Sequence, residues 1–250
     1  MFVINGAHLL RGFLFICSIG GTRSSDFIPN LIQIMSFMTR IAVVALAATA
    51  ALAFSGGDIS EYYDSSTFSC CVSNGWGFVI VRSYCSFGGT DSNAPATLRQ
   101  AAAGGLEYHD VYHFPCTSVD AATQVSDDNA AVAGLYGMMW FDIETNYSPN
   151  CGWSGDAATN CDFLGQLIAA GNSLGIHMGI YASAYMWENI MGGCTVGADN
   201  GVVLWYANWD GAQSFGDFSS FGGWSHPNIK QYNDGVGICG INADGDWYPD

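Results

Sequence analysis

The chain has 250 residues, of which 50% are hydrophobic, 14% aromatic and only 11% charged. This composition excludes an intrinsically disordered protein, because the apolar surface suffices to offset the entropy of ordering the backbone. The 22 acidic and six basic residues give a formal net charge of −16, which repels phosphate backbones and anionic lipid. A nucleic-acid-binding protein is therefore excluded, and the length suits one large domain or two small ones.

Residues 38–53 have the three parts of a secretory signal peptide. Met38-Thr39-Arg40 is a charged start, an apolar run follows, and small residues form a cleavage site that ends at Ala53. The apolar run is shorter than the roughly 20 residues that a membrane-spanning helix needs, so a membrane anchor is the less favoured alternative. We therefore expect secretion, with cleavage after Ala53 and no membrane association afterwards.

Two further regions flank this signal. Residues 1–37 precede the point where a signal normally begins, and we interpret them as a non-native or disordered N-terminal extension. Residues 54–250 contain no Pro-rich linker, charge block or repeat, which indicates one domain. Loss of the first 53 residues removes three arginines and one aspartate, so that three basic and 21 acidic residues remain and the net charge is −18.

The cysteine count in residues 54–250 indicates an oxidising compartment. Eight cysteines remain there, namely Cys70, Cys71, Cys85, Cys116, Cys151, Cys161, Cys194 and Cys239. An even number behind a secretory signal is typical of disulfide formation, although eight cysteines allow 105 full pairings and the sequence leaves the choice open. No Cys-x-x-Cys motif occurs, which argues against a zinc ribbon or a thioredoxin-like site.

Short segments rich in β-branched and aromatic residues predict strands. After a first short strand that ends at Asp58, they lie at residues 77–84, 108–114, 137–144, 176–182 and 202–209. Most are separated by stretches of helical periodicity, the clearest of which begins at a plausible N-cap, Asn160, and stops at Gly175. This alternation predicts parallel strands buried on both faces, and hence an α/β fold.

No helices are predicted after residue 209. Residues 229–232 and 238–243 instead predict two closing strands with short connections. We therefore expect a barrel whose last part lacks crossover helices. In such folds the functional groups lie at the carboxyl ends of the strands. The polar residues expected at these ends are Asp58, Arg82, Tyr112, His113, Asp142, Glu144, Tyr181, Asn208, Gln231 and Asp244.

The segment Trp140-Phe141-Asp142-Ile143-Glu144 carries the strongest chemical signal. Side chains two apart on a strand share a face, so Asp142 and Glu144 are expected to point together into one pocket. Mutual repulsion and desolvation would raise one pKa and leave a protonated acid beside an ionised partner, which is the division of roles that glycosidic cleavage requires. The alternative is a pair of acids that caps the next element.

The motifs around this segment resemble those of the glycoside hydrolase family 25 lysozymes (Chalaropsis-type muramidases), particularly the secreted eukaryotic branch. The matching stretches, in the family's order and covering nearly all of residues 54–250, are GDIS from Gly57, GFVIVRSY from Gly77, DVYHFPC from Asp110, WFDIE from Trp140, GIYAS from Gly179, LWYANWD from Leu204, FGGW from Phe221 and IKQY from Ile229.

The resemblance implies an irregular TIM-like (β/α) barrel of five βα units, completed by about three mainly antiparallel strands with few helices. It also implies hydrolysis of the β-1,4 bond between N-acetylmuramic acid and N-acetylglucosamine in bacterial peptidoglycan. Glu144 matches the general acid, Asp142 the partner that holds the substrate's N-acetyl group, and Asp58 an acid on the first strand. Asp244 best matches the acid on the last strand, although its neighbours Gly245 and Asp246 depart from the family pattern.

Substrate contacts are also implied. Tyr112, Tyr181 and Trp205 match aromatic positions around the sugar, while most other tryptophans are expected in the core. Arg82 and Gln231, at strand ends beside the acids, are further candidate substrate-binding residues; Arg82 could instead organise the carboxylates. No cofactor or metal is expected, because His109 and His113 would lie roughly 13 Å apart on a strand, too far to share an ion.

Several alternatives stay open at this point. The acetamido oxygen of the substrate could attack the anomeric carbon with retention, or water could attack directly with inversion. A non-catalytic secreted glycan-binding protein and a chitin-directed hydrolase could share the barrel. We expect a monomer, secreted or in a phagosomal or lysosomal lumen, with an acidic pH optimum because protons weaken repulsion from anionic walls. The sequon at Asn146 lies beside Glu144 and is expected to be unoccupied.

Overall fold

The computed structural model describes residues 54–249. The predicted extension at 1–37 and signal peptide at 38–53 lie outside the described residues, as does residue 250. Within the described range, no helix has the length and apolar character that crossing a membrane would require.

Residues 54–249 form nine strands and six helices. The strands are β1 (Phe54–Ile59), β2 (Trp76–Cys85), β3 (Gly89–Thr90), β4 (Tyr108–His113), β5 (Met139–Asp142), β6 (Met178–Ala182), β7 (Val203–Ala207), β8 (Ile229–Asn233) and β9 (Asp244–Tyr248). The helices are α1 (Ser65–Ser73), α2 (Ala94–Ala103), α3 (Ala121–Ala131), α4 (Ala157–Leu174), α5 (Ala184–Ile190) and α6 (Val196–Asp199).

Eight of these strands close into a barrel. They are hydrogen-bonded in the order β1-β2-β4-β5-β6-β7-β8-β9, with β9 returning to β1, while β3 pairs only with the end of β2. All neighbours from β1 to β8 run parallel, and β9 is antiparallel to both β8 and β1. The predicted α/β barrel of five βα units with a helix-poor closing part is confirmed.

The closing strands differ from the prediction in two respects. Only β9 is antiparallel, whereas mainly antiparallel closing strands were expected. The prediction of a strand at 238–243 is wrong, because the last strand is β9 at Asp244–Tyr248. The preceding segment instead turns back on itself through the Ile241 N–H to Ile238 C=O hydrogen bond of 2.9 Å. Its apolar residues are explained by burial of Ile241 and Ala243 in the core rather than by strand pairing.

The barrel interior is filled by its own apolar cluster, separate from the larger core between strands and helices. Trp140 and Trp205 meet there edge to face, with ring centroids 5.8 Å apart. A Cβ atom on Gly179 would lie 2.1 Å from the Trp140 ring, so only glycine leaves room for this indole. The interior is therefore closed below the mouth of the barrel, and the mouth alone is open to a ligand.

The long helix α4 begins and ends for identifiable reasons. The Asp156 carboxylate accepts a hydrogen bond from the Ala158 N–H and caps the first turn, and Gly175 ends the helix at φ 69°, as predicted. The prediction that Asn160 is the N-cap of this helix is wrong. Asn160 lies inside the helix, where its buried amide donates to the carbonyls of Ser154 and Ile190 and so ties α4 to the end of α5.

Three disulfides form among the described residues: Cys70–Cys239, Cys116–Cys151 and Cys161–Cys194. The expectation of disulfides is confirmed, but two of the eight cysteines do not take part. Cys71 and Cys85 are buried free thiols. Both contribute to packing instead, Cys71 as part of the apolar core and Cys85 at the end of β2.

Candidate active site

A cavity of about 220 Å³ opens at the carboxyl end of the parallel strands. It is lined by Asp58, Tyr112, Asp142, Glu144, Tyr181, Trp205, Trp209, Gln231 and Asp244. Eight of the nine residues proposed from the sequence thus meet in one place. The cavity lies where parallel barrels gather the side chains of different strands.

The strand register explains how four acids converge. Asp58 on β1 is the direct partner of Asp244 on β9, and because β9 is antiparallel, its first residue lies at the end where the parallel strands finish. Asp142 is the last residue of β5, and Glu144 follows two positions later. The intervening Ile143 is fully buried on the other side of the strand, which turns both acids toward the cavity.

Gln231 on β8 connects the aromatic and acidic walls of the cavity. Its amide oxygen accepts hydrogen bonds of 2.7 Å from the Tyr181 hydroxyl and the Trp209 indole N–H. Its amide nitrogen donates to Asp58 at 2.7 Å and to Asp244 at 3.5 Å. All of the Gln231 hydrogen-bonding capacity within the cavity is therefore directed at protein groups, which indicates a positioning residue.

Asp58 and Asp246 form a buried pair of acids at the base of the cavity. Burial and the nearby Asp244 raise the pKa of Asp58 to about 7, although hydrogen bonds with Gln231 and Asp246 oppose the shift. Burial and Asp58 likewise raise the pKa of Asp246, while the Trp205 indole N–H, 2.9 Å from Asp246 Oδ1, opposes the increase. The other oxygen, Asp246 Oδ2, is buried without a hydrogen-bond partner. A proton shared with Asp58 would satisfy it.

The Asp142–Glu144 pair has the properties expected of coupled acids. Burial raises the pKa of Asp142, and the charges of Glu144 and Asp58 raise it further. Burial and Asp244 raise the pKa of Glu144, and the nearby Tyr181 hydroxyl opposes the increase. Glu144 keeps part of its surface open to the cavity, whereas Asp142 is buried and its Oδ1 has no hydrogen-bond partner. The pair can therefore retain a proton at a higher pH than two ordinary carboxyl groups would.

Arg82 differs from the other predicted site residues, because it does not line the cavity. Its Nε donates to Asp91 Oδ2 at 3.0 Å, and one terminal nitrogen donates to the Ser60 carbonyl at 3.0 Å. This arrangement agrees with the alternative in which Arg82 organises a carboxylate, here that of Asp91, and a substrate contact by Arg82 stays a prediction. The guanidinium links the end of β2 to the loop after β1. Its positive charge also opposes the increase in the pKa of Tyr112 that burial causes.

Two residues at the site were missed from the sequence. Trp209 was assigned to the core, yet it is 55% exposed and lines the cavity, whereas Trp205 is nearly buried. Asp246 was noted only as a departure from the family pattern, and it lies beneath Asp58. Alternation along β9 could have identified it, since Asp244 and Asp246 must face the same side of a strand.

A closed α/β barrel with four acids and several aromatic side chains at its mouth has the arrangement of a glycoside hydrolase. The family model described as "Lysozyme-like protein 1" matches residues 49–232. "Probable GH family 25 lysozyme 4" of Dictyostelium discoideum is 43% identical over 217 residues, which are 85% of this chain and 98% of that protein. "Lysozyme-like protein 5" of Caenorhabditis elegans is 33% identical over 84% of this chain and 98% of its own length. The chain belongs to the glycoside hydrolase family 25 lysozymes, and it is a glycoside hydrolase.

Solved structures share the fold at lower sequence identity. The muramidase from Acremonium alcalophilum is 21% identical, with a TM-score of 0.64 over 79% of this chain and 94% of that one. The lysozyme from Streptomyces coelicolor is 18% identical, with a TM-score of 0.66 over 80% and 93%. The autolysin LytC from Streptococcus pneumoniae, solved with a synthetic peptidoglycan ligand, has a TM-score of 0.60 at 17% identity over 78% and 47%.

Proposed function

We propose that this lysozyme is a secreted N-acetylmuramidase that hydrolyses the β-1,4 bond between N-acetylmuramic acid and N-acetylglucosamine in bacterial peptidoglycan. The observation that carries the proposal is the convergence of Asp142 and Glu144 in one cavity at the barrel mouth. Both have raised pKa values, which suits an acid that must hold a proton and a partner whose charge is needed only with substrate bound.

Glu144 is the proposed general acid. It lines the cavity with part of its surface accessible, and burial together with Asp244 raises its pKa, so it stays protonated at higher pH than an ordinary glutamate. Its proton passes to the glycosidic oxygen as the bond from that oxygen to the anomeric carbon breaks. The resulting carboxylate then accepts a proton from the water that completes hydrolysis.

Asp142 is proposed to act on the N-acetyl group of the muramic sugar. Its Oδ1 is buried without a partner, and an acetamido N–H is the kind of donor that would satisfy it. That hydrogen bond favours the ionised carboxylate and orients the acetamido oxygen to bond the anomeric carbon from the opposite face. The product then retains its configuration, and proton NMR of the first-formed anomer distinguishes this route from inversion by direct attack of water.

The other site residues have proposed supporting roles. Asp58 and Asp244 are the remaining acids of the catalytic group, and their pKa values are also raised by burial. Tyr112, Tyr181, Trp205 and Trp209 provide ring edges and hydroxyl groups for the sugar, while Gln231 holds Asp58 and Tyr181 in place. Peptidoglycan is the proposed partner, bound by a monomer.

The proposed place of action is outside the cell or in a phagosomal or lysosomal lumen. The three disulfides support an oxidising compartment, and the signal peptide at 38–53 with a lysozyme domain at 54–250 remains our interpretation of the sequence. An acidic optimum is expected, because the site acids hold protons more readily there and the net negative charge falls. Activity that peaks above pH 7 at ordinary salt would contradict this.

Loss of turbidity in a bacterial cell suspension tests the proposed activity. The Glu144→Gln variant should lose on the order of 10² to 10⁴ in rate, because it removes the general acid and little else. Glu188→Gln is the matched control, since Glu188 is exposed on α5 and does not line the cavity. Equal lysis by the Glu144→Gln variant and the parent would overturn the assignment of Glu144.

Two alternatives would both leave turbidity unchanged, and further assays distinguish them. A glycan-binding protein without catalysis would bind sacculi, and the parent would release no reducing ends. A chitin-directed hydrolase would cleave N-acetylglucosamine oligomers and leave bacterial sacculi intact. The four acids in the cavity argue against the first alternative, since a protonated carboxyl group offers little to simple sugar binding.

A further inference from the structure

The three most exposed large hydrophobic side chains of residues 54–249 lie at the cavity end of the barrel. They are Tyr147, Tyr185 and Phe87, which are 91%, 74% and 67% exposed. Phe87 follows β2, Tyr147 follows β5 and Tyr185 follows β6, so each is carried by a connection that leaves the carboxyl end of a parallel strand. We call these three residues the aromatic rim.

Hydrogen bonds join the connections that carry the rim. The Asn146 amide donates to the Ser86 carbonyl at 2.8 Å, and the hydroxyl groups of Ser86 and Ser148 lie 2.8 Å apart. These contacts place the backbones next to Phe87 and Tyr147 side by side. On the other side, the Thr145 hydroxyl donates to Met186 Sδ at 3.5 Å, which brings the segment after Glu144 against the residue after Tyr185.

The three segments that carry the rim are therefore joined to one another next to the candidate general acid. Thr145 and Asn146 directly follow Glu144, and through their contacts they lie against the segments carrying Tyr185 and Phe87. Large exposed rings grouped at one place on a monomer indicate a contact surface, since isolated ones need no explanation. Because side-chain hydrogen bonds already hold these loops together, little backbone entropy is lost when a ligand binds.

The chemistry of the partner follows from the charges. Residues 54–250 contain only three basic residues. Arg82 is paired with Asp91 and Lys230 with Asp210 and Asp217, which leaves Arg99 on helix α2. Ionic attraction to an anionic polymer is thus absent, whereas the apolar faces of N-acetylated sugars can stack on aromatic rings without any charge.

We propose that the aromatic rim binds the glycan strand of peptidoglycan beyond the sugars held in the cavity, and that it replaces charge as the source of attachment to the insoluble wall. This inference rests on the proposed function, because it takes the same polymer as the substrate. It predicts that the rim governs binding and processing of the polymer but not the chemical step on a short soluble oligosaccharide.

The test compares Phe87→Ala/Tyr147→Ala/Tyr185→Ala with a matched control, Tyr108→Ala/Leu174→Ala. The control residues are also exposed, 50% and 44%, but lie at the start of β4 and the end of α4, at the opposite end of the barrel. Sedimentation with purified peptidoglycan sacculi at 4 °C measures binding, and hydrolysis of a soluble peptidoglycan tetrasaccharide measures chemistry. Circular dichroism and size-exclusion chromatography accompany both.

The rim variant should lose roughly tenfold or more in binding to sacculi, as expected for three lost stacking contacts, and keep its rate on the tetrasaccharide. The control should match the parent in both. Unchanged binding by the rim variant, equal losses in the control, or a parent dimer that the rim substitutions dissociate would each overturn the inference. If the parent hydrolyses neither sacculi nor the tetrasaccharide, the proposed function fails. The comparison of binding to sacculi still decides the role of the rim in that case.

Discussion

The side-chain amide of Gln231 donates a 2.7 Å hydrogen bond to Asp58 Oδ2. The orientation of this amide is fixed, because the Trp209 indole N–H can only donate and therefore requires the Gln231 oxygen on its side. The nitrogen must then face the acids. A single residue on β8 thus contacts an aromatic ring at the opening and partly offsets the increase in the pKa of Asp58 that burial and Asp244 cause.

Gln231→Leu should raise the pKa of Asp58 further, because it removes a hydrogen bond that favours the ionised carboxylate. It also leaves the Tyr181 hydroxyl and the Trp209 indole without their acceptor. We expect lower kcat/KM and a shift of the pH–rate profile to higher pH, measured on a soluble oligosaccharide. Gln231→Glu is the comparison variant, since it keeps an oxygen that accepts from Tyr181 and Trp209 and adds an acid. An unchanged pH profile in Gln231→Leu would contradict a positioning role.

The stability of the fold should increase as pH falls from about 7 to 5. The pKa of Asp58 is raised to about 7, and those of Asp142 and Asp246 are raised as well, so these three groups bind more protons in the folded state than in the unfolded chain in this range. His109 opposes them, because burial lowers its pKa, but it is one group against three. Asp217 acts oppositely with a pKa of about 2, but its contribution is lost only below its unfolded value near 3.8.

Urea unfolding at pH 5, 6 and 7.5 measures this dependence. Asp58→Asn should stabilise the protein at pH 7.5, where the parent must hold an unfavourable charge, and change little at pH 5. A parent that is most stable at pH 7.5, or an Asp58→Asn variant that is equally destabilised at both ends, would show that the acids at the base are not protonated as described.

Lys230 anchors the loop that carries Trp209. Its fully buried ammonium group donates to Asp210 at 2.9 Å, to Asp217 at 2.8 Å and to the Ser214 carbonyl at 3.0 Å. Lys230→Met should lower the free energy of unfolding by about 2–3 kcal/mol, because both acids lose their counter-ion.

Lys230→Met should also raise KM more than it lowers kcat, since Trp209 is no longer held at the opening. Arg99→Met, which removes an exposed charge, is the control in both assays and should behave as the parent.

The sequon at Asn146 should be unoccupied in the folded protein. The Asn146 side chain is buried, donates to the carbonyls of Ser86 and Pro115 at 2.8 and 2.9 Å, and accepts from the Ser148 N–H at 2.8 Å. A glycan on this nitrogen would displace the amide and separate the two loops. Mass spectrometry of protein secreted from a eukaryotic host should find an unmodified Asn146 peptide.

Two variants distinguish the structural role of Asn146 from its sequon. Asn146→Ala should lower the free energy of unfolding by about 2–3 kcal/mol, because two buried carbonyls lose their donor. Ser148→Ala removes the sequon and a single side-chain contact, so the loss should be about 1 kcal/mol or less. A mass decrease of one glycan in secreted Ser148→Ala would show that Asn146 is modified in the parent.

The sequence predicted those parts of the fold in which one physical pattern dominates. The continuous apolar run of β2 is buried on both faces, and the helix stop at Gly175 follows from its positive φ. The last strand was misplaced because Asp244 and Asp246 lie on the same side of β9, and acids at alternate positions do not resemble a buried strand. Such a strand is recognisable only once its neighbours β1 and β8 are known.

The meeting of Asp142 and Glu144 in one cavity was predictable from their alternate positions at the end of a strand. The position of Arg82 outside the cavity was not, because its partner, Asp91, comes from a loop whose path the sequence does not reveal. Trp209 was missed because a tryptophan two residues past the end of a strand can turn inward or outward. Its direction depends on the hydrogen bond to Gln231, more than 20 residues further along the chain.

The disulfide between Cys70 and Cys239 spans 169 residues and joins α1 to the turn before β9. It lies beside the seam where the first and last strands of the barrel meet. A protease that cuts one exposed loop between these two cysteines therefore cannot release either piece, because the disulfide still joins them. The chain is thus closed into a covalent loop as well as into a hydrogen-bonded barrel.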